Sequence, residues 1–440
     1  MFDYQEEYPN LKDATYLSFQ VCDKSLAAKA FTQTIASSLS ALEERLRSRS
    51  KKSLEAFKVT TGLILAGLMC AAQRKEHGWV YRSFGNDTFM DAPVTADNFR
   101  RVMSLLEQAG YIERAAGSNR SNPFYTGGEQ CKAFNPGLST RIRATEALIE
   151  IAMNHNVSID RCDYHYIRKL PTKVIKKRAA SSARKGQKTP GRQIKIVHDS
   201  ISLRLQRQTQ EINEYLNRQD LEGATFEGYH RIFNLGDQPD FYWNKGGRLN
   251  CLGPDSYQRM KKQQRLQTIR INGQPAVEVD INASYLTIFH GVRGEALPSR
   301  DDIYQVEGLH RDIVKAWVTS AFGSGTFPSR WPVYAKQELL DKGIIVGSLT
   351  MKQVGQMTCE AIPVLRQLPS SGISWADLMY LESEAVIAAM ESLRERHDVP
   401  AYSMHDGLLV AQGAANLAAR ELVQAFENQG LECRVKIKTA

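Results

Sequence analysis

Two aspartates, 126 residues apart, have the residue type and local setting that a divalent metal ion requires. Asp280 ends an apolar run in which Val277 and Val279 are β-branched, as a buried strand requires. Asp406 lies in a Met-His-Asp-Gly segment between two apolar runs, and Asp-Gly predicts a hairpin because glycine tolerates a positive φ. If the fold joins these two ends, the carboxylates can hold two Mg²⁺ ions roughly 3.5–4 Å apart, as nucleotidyl transfer needs. Mn²⁺ suits the same oxygen ligands.

A predicted helix between the two aspartates carries two cations on one face. Arg311 and Lys315 are four residues apart, so their side chains can grip the β- and γ-phosphates of a nucleotide together. Lys315 is the candidate for a catalytic cation. Phe322, further along the same helix, can offer its ring for stacking on a base.

The three segments, taken in order, resemble motifs A, B and C of family A DNA polymerases. The residues that carry this likeness are Asp280, then Arg311 with Lys315 and Phe322-Gly323, and then His405-Asp406. Further segments are similar to a compact group of polymerase-like proteins from bacteria and mobile elements, namely Gly246-Gly247-Arg248, Ile271-Asn272-Gly273-Gln274-Pro275 and Glu382-Ser383-Glu384. The resemblance covers residues 229–440. It implies a DNA polymerase that uses deoxynucleoside triphosphates and a DNA primer–template, with an RNA template left open.

The sequence departs from the family pattern at three places. Gly407 follows Asp406 where the family usually carries Glu, so Glu382 or Glu384 is a candidate helper acid. In motif B the spacing from lysine to the aromatic residue is one residue short. Tyr285 replaces the family's Glu five residues after Asp280, and an aromatic ring there predicts a steric gate that excludes the 2′-hydroxyl of a ribonucleotide.

A basic strip at 161–195 is the main candidate for contact with nucleic acid. It carries +11, so the rest of a chain whose formal charge is +9 carries −2. Its sequence favours a mobile loop that tracks phosphates, although a solvated linker or a localisation signal has the same composition. The residues predicted to contact nucleic acid are His405, Arg248, Arg259, Lys176, Lys177, Arg178, Arg184 and Lys185. His405 can equally well be a structural residue. Tyr257, like Arg259, is a further candidate for contact with nucleic acid.

The elements that would position these residues predict an α+β fold in four parts. Residues 1–52 form an N-terminal helical segment. Residues 53–139 form a winged-helix-like module in the order helix, helix, strand, loop, strand, with Thr95 as the N-cap of its second helix and a returning strand at 132–134. Arg100 and Arg101 on the second helix are predicted to face a nucleic-acid backbone, although a helical bundle with a polar hairpin fits the same pattern. Residues 140–225 form a basic helical region in the place of a thumb. Residues 226–440 form a palm with an antiparallel sheet and a helical fingers insertion at about 300–375. No segment before 225 has a convincing set of acidic motifs for a proofreading exonuclease.

The bulk composition predicts a soluble, cytoplasmic protein. The chain is 42% hydrophobic and 24% charged, values that are ordinary for globular proteins. Its seven cysteines include no Cys-x-x-Cys pair, which argues against a disulfide framework and a zinc ribbon. The start of the chain is acidic and polar, unlike a signal peptide, and the apolar stretch 61–72 is too short to span a bilayer.

Each of these residues also has a simpler interpretation when it is taken alone. An Asp before a helix is most often an N-cap, Asp-Gly is most often only a turn, and Arg311 with Lys315 can form a solvated face. Two other functions therefore stay open. One is a DNA-binding replication or regulatory protein with a degenerate polymerase fold, and the other is a metal-dependent nuclease.

Overall fold

A computed structural model describes residues 11, 14–44, 47–74, 77–90, 92–117, 139–184, 187–189, 191–253 and 256–440. The chain divides into two units, Met1–Pro171 and Thr172–Ala440. The predicted boundaries at 52, 139 and 225 do not coincide with this division. The mixture of helices with several small sheets confirms the predicted α+β class.

The first unit packs its helices against a small four-stranded sheet. Its helices are α1 (Leu26–Leu42), α2 (Lys51–Arg74), α3 (Ala96–Gln108), α4 (Glu146–Asn154) and α5 (Cys162–His165). Its strands are β1 (Thr15–Tyr16), β2 (Val21–Asp23), β3 (Val80–Tyr81), β4 (Ile112–Ala115), β5 (Arg141–Ala144) and β6 (Tyr166–Arg168). The sheet order is β1-β3-β5-β4, and β2 pairs separately with β6.

Helix α3 forms as its sequence predicts. The Thr95 side chain accepts a hydrogen bond from the Asn98 backbone N–H at 3.3 Å, which caps the helix. Phe99, Val102 and Leu106 are buried, since they recur at helical spacing. The order α2, α3, β4, β5 follows the predicted order of helix, helix, strand, strand. The returning strand predicted at 132–134 lies outside the described residues, and β5 is the strand that pairs with β4.

Two arginines of α3 that were predicted to face a nucleic-acid backbone have partners within the first unit. Arg100 binds Asp97 at 2.9 Å, and Arg101 binds Glu43 at 2.9 Å. The buried core of this unit is centred on α2, which supplies Phe57, Ile64 and Met69, among others. The segment Lys51–Gln73 is long and apolar enough to cross a membrane, with a mean hydropathy of 1.5 and 56% of its most apolar window buried. One such helix is weak evidence for a span, because a buried core helix has the same composition.

The second unit holds the segments that resemble polymerase motifs. Its helices are α6 (Ser200–Leu216), α7 (Lys262–Thr268), α8 (Ser284–Val292), α9 (Arg311–Ser324), α10 (Val333–Asp341), α11 (Met351–Ala361), α12 (Trp375–His397) and α13 (Ala415–Glu427). Its strands before residue 240 are β7 (Ile175–Arg178), β8 (Ser182–Arg184), β9 (Gln187–Thr189), β10 (Gln193–Ile194), β11 (Leu221–Glu222) and β12 (Tyr229–Phe233). The later strands are β13 (Gly246–Cys251), β14 (Arg270–Ile271), β15 (Gln274–Ile281), β16 (Ala401–Met404), β17 (Gly407–Ala411) and β18 (Val435–Lys438).

Strand β15 is the centre of the larger sheet in this unit. It pairs antiparallel with β17 on one side and with β18 on the other, and β16 pairs with the outer edge of β17. Helices α12 and α13 pack against this sheet. One continuous core joins the sheet to helices α9, α10 and α11, which lie between its strands in sequence. The insertion that was predicted at about 300–375 therefore shares the core of the sheet.

A second sheet, with the order β10-β7-β12-β13, contains two short segments of the basic strip. The prediction that 140–225 is a helical region with a mobile basic loop is wrong for the strip after residue 171, which forms strands. Residues 140–171 belong to the first unit, and the strip beyond them forms β7, β10 and the β8–β9 hairpin. Burial of Val174 and Ile175, together with the pairing of β7 with β12, explains why a strand forms in so polar a sequence.

Candidate active site

The sheet register brings the two aspartates together. Asp280 lies directly opposite Gly407, so Asp406 is its diagonal neighbour. The Ile281 backbone N–H donates to the Asp406 carbonyl at 3.0 Å, which holds the hairpin turn beside the end of β15. Burial raises the pKa of Asp406, and the neighbouring negative charge of Asp280 raises it further. The structure thus places two carboxylates side by side at one edge of the sheet.

The hairpin forms where the sequence predicts it, but Gly407 serves a different purpose from the expected one. His405 and Asp406 form a two-residue loop between β16 and β17, and His405, not Gly407, has the positive φ of 24°. A Cβ on Gly407 would lie 2.3 Å from the Val279 carbonyl oxygen and 2.9 Å from Oδ1 of Asp280. Glycine is therefore required for close approach of the two strands, and the family's Glu does not fit at this position in this register.

Asp280 is half-buried and has a cationic partner that the sequence analysis missed. Lys438 of β18 forms an ion pair with Oδ2 of Asp280. The preceding acid on the same strand face, Glu278, is buried and is paired with Arg265. The alternation of Lys436 and Lys438 with apolar residues near the end of the chain was the available signal, because it is the pattern of a half-buried strand.

Glu382 is a third carboxylate at this site, although its position is unlike that of a metal ligand. It is fully buried on α12, where it receives hydrogen bonds from Arg248 Nε at 2.7 Å and from Ser284 Oγ at 2.6 Å. Burial raises the pKa of Glu382 to about 7, against the lowering effect of Arg248. The other candidate helper acid, Glu384, pairs with the buried Arg231. Glu382 therefore ties α12 to β13 and α8.

Tyr285 lies between this ion pair and the helix that resembles motif B. The Arg248 guanidinium lies 5.5 Å from the centre of the Tyr285 ring. Burial raises the pKa of the Tyr285 hydroxyl, and the charges of Glu382 and Asp406 contribute in the same direction, against the lowering effect of Arg248. The hydroxyl therefore stays neutral near pH 7.

Phe322 does not present its ring as predicted. The side chain is 2% exposed and packs edge-on against Tyr285, with ring centres 6.3 Å apart, and against Phe289 at 5.4 Å. A base cannot stack on a ring that is covered in this way. Phe322 instead supports Tyr285 from behind.

The two cations of α9 differ in their surroundings. Arg311 is 45% exposed and is ion-paired with Asp302, and its guanidinium lies 5.5 Å from the Tyr304 ring. Burial raises the pKa of Tyr304, against the lowering effect of Arg311, and the charge of Asp406 adds to the rise, so Tyr304 is close enough to both Arg311 and Asp406 to sense their charges. Lys315 is exposed on the face that it shares with Arg311.

His405 projects from the hairpin turn beside Asp406. Its side chain is exposed, yet partial desolvation of the ring lowers its pKa, and the charge of Arg248 lowers it further. A neutral imidazole in this place can accept or donate a hydrogen bond. Both interpretations of His405, as a structural residue and as a contact to a primer phosphate, fit this position.

One face of the smaller sheet extends the positive charge of the site. Ile232 is aligned with Lys176 on one side and with Arg248 on the other, so the three side chains share a face. Arg178 lies two residues from Lys176 on that same face. Lys177 points to the opposite face, 5.8 Å from the Phe241 ring centre. Of the predicted basic trio, Lys176 and Arg178 are therefore in line with the site, and Lys177 is not.

The remaining predicted contacts are less clearly connected to the site. Arg259 is exposed at the end of the 3-10 turn Tyr257–Arg259. Tyr257 is fully buried and donates to the Ser403 carbonyl at 2.6 Å, so it is a core residue and not a nucleic-acid contact. Arg184 lies on β8, and Lys185 lies outside the described residues.

The donors at this site suit Mg²⁺ that shares its coordination with phosphate. Two half-buried carboxylates, Asp280 and Asp406, face the same edge. Within the described part of the chain, no group of three or more His, Cys, Asp or Glu side chains has the arrangement to hold a metal ion. Mg²⁺ commonly binds one or two carboxylates together with water and substrate phosphates, rather than an all-protein cage. The pair therefore fits an ion that also binds the nucleotide.

Comparison of the chain with protein-family models and with curated proteins gives no match.

Proposed function

We propose that this chain is a template-directed nucleotidyltransferase, namely a DNA-dependent DNA polymerase without proofreading. The observation that carries the proposal is the register of β15 and β17, which makes Asp280 and Asp406 neighbours at one sheet edge. The helix with Arg311 and Lys315 is linked to that edge through Tyr304 and through the contact of Tyr285 with Phe322.

In this proposal each side chain of the site has its own role in binding or orienting the substrates. Asp280 and Asp406 would hold two Mg²⁺ ions, which would supply activation of the 3′-hydroxyl and stabilisation of the pyrophosphate. Lys315 and Arg311 bind the triphosphate as charged donors. Both are exposed, and Lys315 is the better placed because Arg311 already pairs with Asp302. Tyr285 borders the sugar and excludes a 2′-hydroxyl.

Nucleic acid would reach the site along the shared face of the smaller sheet. Arg248 lies on that face and also forms the ion pair with Glu382, so it connects the face of the smaller sheet to the candidate metal site. Arg178 and Lys176 continue the positive charge away from the site. Contacts of this kind to phosphates position a strand without reading its sequence.

Extension of a labelled primer with Mg²⁺ or Mn²⁺ tests the proposal, on DNA and RNA templates and with deoxy- and ribonucleotides. The wild type is expected to extend the primer, while Asp280→Asn and Asp406→Asn lose extension, since an amide is a poor ligand for Mg²⁺. Asp398→Asn is a matched control. Asp398 lies at the left-handed end of α12, a conformation that Asn also tolerates, so its activity is expected to stay normal.

The products separate the alternatives. Shortened primers that disappear in both aspartate variants would indicate a metal-dependent nuclease. Equal products from the wild type and both variants would exclude the catalytic role of the two aspartates. Binding of DNA without any reaction would favour a replication or regulatory protein with a degenerate polymerase fold.

A further inference from the structure

The last strand of the chain places two lysines on the face of the sheet that carries the candidate metal ligands. Strand β18 pairs antiparallel with β15, with Lys438 opposite Glu278 and Lys436 opposite Asp280. Directly paired residues point to the same side of a sheet. Both ammonium groups therefore lie on the side of Asp280.

Lys438 does not neutralise the acid that it faces directly. Arg265 already pairs with Glu278, and its guanidinium is also fixed by the Met260 carbonyl at 2.8 Å. Both members of this pair are buried, at 5% and 3% exposure. Lys438 instead reaches diagonally across two residues and binds Oδ2 of Asp280. A long side chain can span this diagonal between antiparallel strands.

Lys436 makes a useful contrast with Lys438. It lies directly opposite Asp280, yet its charge acts on Asp302, whose pKa is lowered against burial mainly by the hydrogen bond from Arg311. Two lysines on one strand face therefore have different partners. Only Lys438 has its ion pair with a residue that we place in the metal site.

An ammonium group and a divalent cation compete for the same carboxylate oxygen. A metal ion at Oδ2 of Asp280 would lie within a few ångströms of the Lys438 nitrogen, where two positive charges repel strongly. The Lys438 side chain is 37% exposed, so it can turn toward solvent without leaving a buried, unpaired charge.

We propose that Lys438 competes with divalent metal ions for Asp280 and so weakens the metal affinity of the site. The metal site itself rests on the function proposed above, while the competition rests on the ion pair. Lys438 thus raises the free metal concentration at which the site is half occupied. It is neither a ligand nor a catalytic residue.

Titration of the full chain with Mn²⁺ tests the competition without nucleotide or primer. Binding is measured as the loss of the free-ion signal in electron paramagnetic resonance. Lys438→Met is expected to bind Mn²⁺ about twofold to fivefold more tightly than the wild type, the scale of a partly exposed ion pair. Lys438→Arg keeps the charge and is expected to bind like the wild type. Lys436→Met is the matched control, and a change of less than about twofold is expected there from its longer-range charge.

A double-mutant cycle identifies the partner. In an Asp280→Asn background, Lys438→Met is expected to have no further effect on Mn²⁺ affinity, because the contested oxygen is gone. Equal or weaker Mn²⁺ binding by Lys438→Met, absence of Mn²⁺ binding in every variant, or equal tightening by Lys436→Met would each overturn the proposal. Circular dichroism checks that every variant keeps its strands, and Lys438→Gln, which also removes the charge, carries the test if the methionine variant unfolds.

The two proposals fail in different ways. If the wild type extends primers but Lys438→Met does not bind Mn²⁺ more tightly, the competition is wrong and the polymerase function stands. If Lys438→Met binds Mn²⁺ more tightly but no form of the chain extends a primer, the polymerase function is wrong and the competition stands.

Discussion

The buried carboxyl group of Glu382 predicts a specific dependence of stability on pH. Its pKa rises from an ordinary value of 4.5 to about 7 in the folded chain, chiefly through burial. Between these two values the folded state binds a proton that the unfolded state has released. The contribution of Glu382 to stability is therefore full below pH 4.5 and is lost as pH rises toward and through 7.

The size of this loss follows from the shift. Each pKa unit corresponds to about 1.4 kcal/mol, so the full shift is worth about 3 kcal/mol. Integration of the proton linkage between pH 5 and pH 8 gives a loss of about 2–3 kcal/mol in the free energy of unfolding. Glu382→Gln has no group that titrates in this range. Its free energy of unfolding is expected to fall by about 2–3 kcal/mol less than that of the wild type over the same interval.

Urea unfolding of both proteins at several pH values between 5 and 8 measures this difference. The quantity to compare is the difference in free energy of unfolding between the two proteins at each pH, because all other titrating groups are the same in both. Glu395→Gln is the matched control, since Glu395 lies on the same helix with a side chain that is 61% exposed, and its curve is expected to run parallel to the wild type. Parallel curves for the wild type and Glu382→Gln would refute the claim that burial raises the pKa of Glu382.

Two further predictions concern the geometry of the site. Gly407→Ala forces a Cβ to within 2.3 Å of the Val279 carbonyl oxygen, so we expect the free energy of unfolding to fall by about 1–3 kcal/mol and primer extension to be reduced. Gly323→Ala is the control, because its new Cβ meets nothing within 4 Å, and it is expected to be neutral or stabilising. Equal stability of the two variants would contradict the close approach of the strands at Gly407. Tyr285→Ala is expected to incorporate ribonucleotides more readily in competition assays, while Tyr285→Phe keeps the ring and the discrimination; an unchanged preference in the alanine variant would rule out the gate.

Local patterns predicted much of the secondary structure around the site. Alternating apolar residues marked β15, the Met-His-Asp-Gly segment marked the β16–β17 hairpin, and helical spacing marked α9. These predictions succeed because backbone conformation in such segments depends on neighbours a few residues away. The basic strip is the counter-example. The small residues and the Gly and Pro residues in its middle favoured a mobile loop, while the strip after residue 171 forms paired strands, among them β7 with the distant β12.

Side-chain roles were less predictable than backbone conformation. Phe322 was expected to meet a base and is buried behind Tyr285. Glu382 was considered as a helper acid and is held by Arg248 and Ser284. Both outcomes depend on which distant elements pack together, and a single sequence does not encode that in any short window.

By itself, the sequence determined which residues have suitable chemistry: two aspartates at strand ends, two cations at helical spacing between them, and a tyrosine after the first aspartate. Only the tertiary structure decided their geometry. The strand register that places Gly407 against Asp280, and the pairing that brings Lys438 to the same carboxylate, join positions 127 and 158 residues apart. Such contacts depend on strand pairing between remote segments, where a slip of one residue would turn every side chain to the other face.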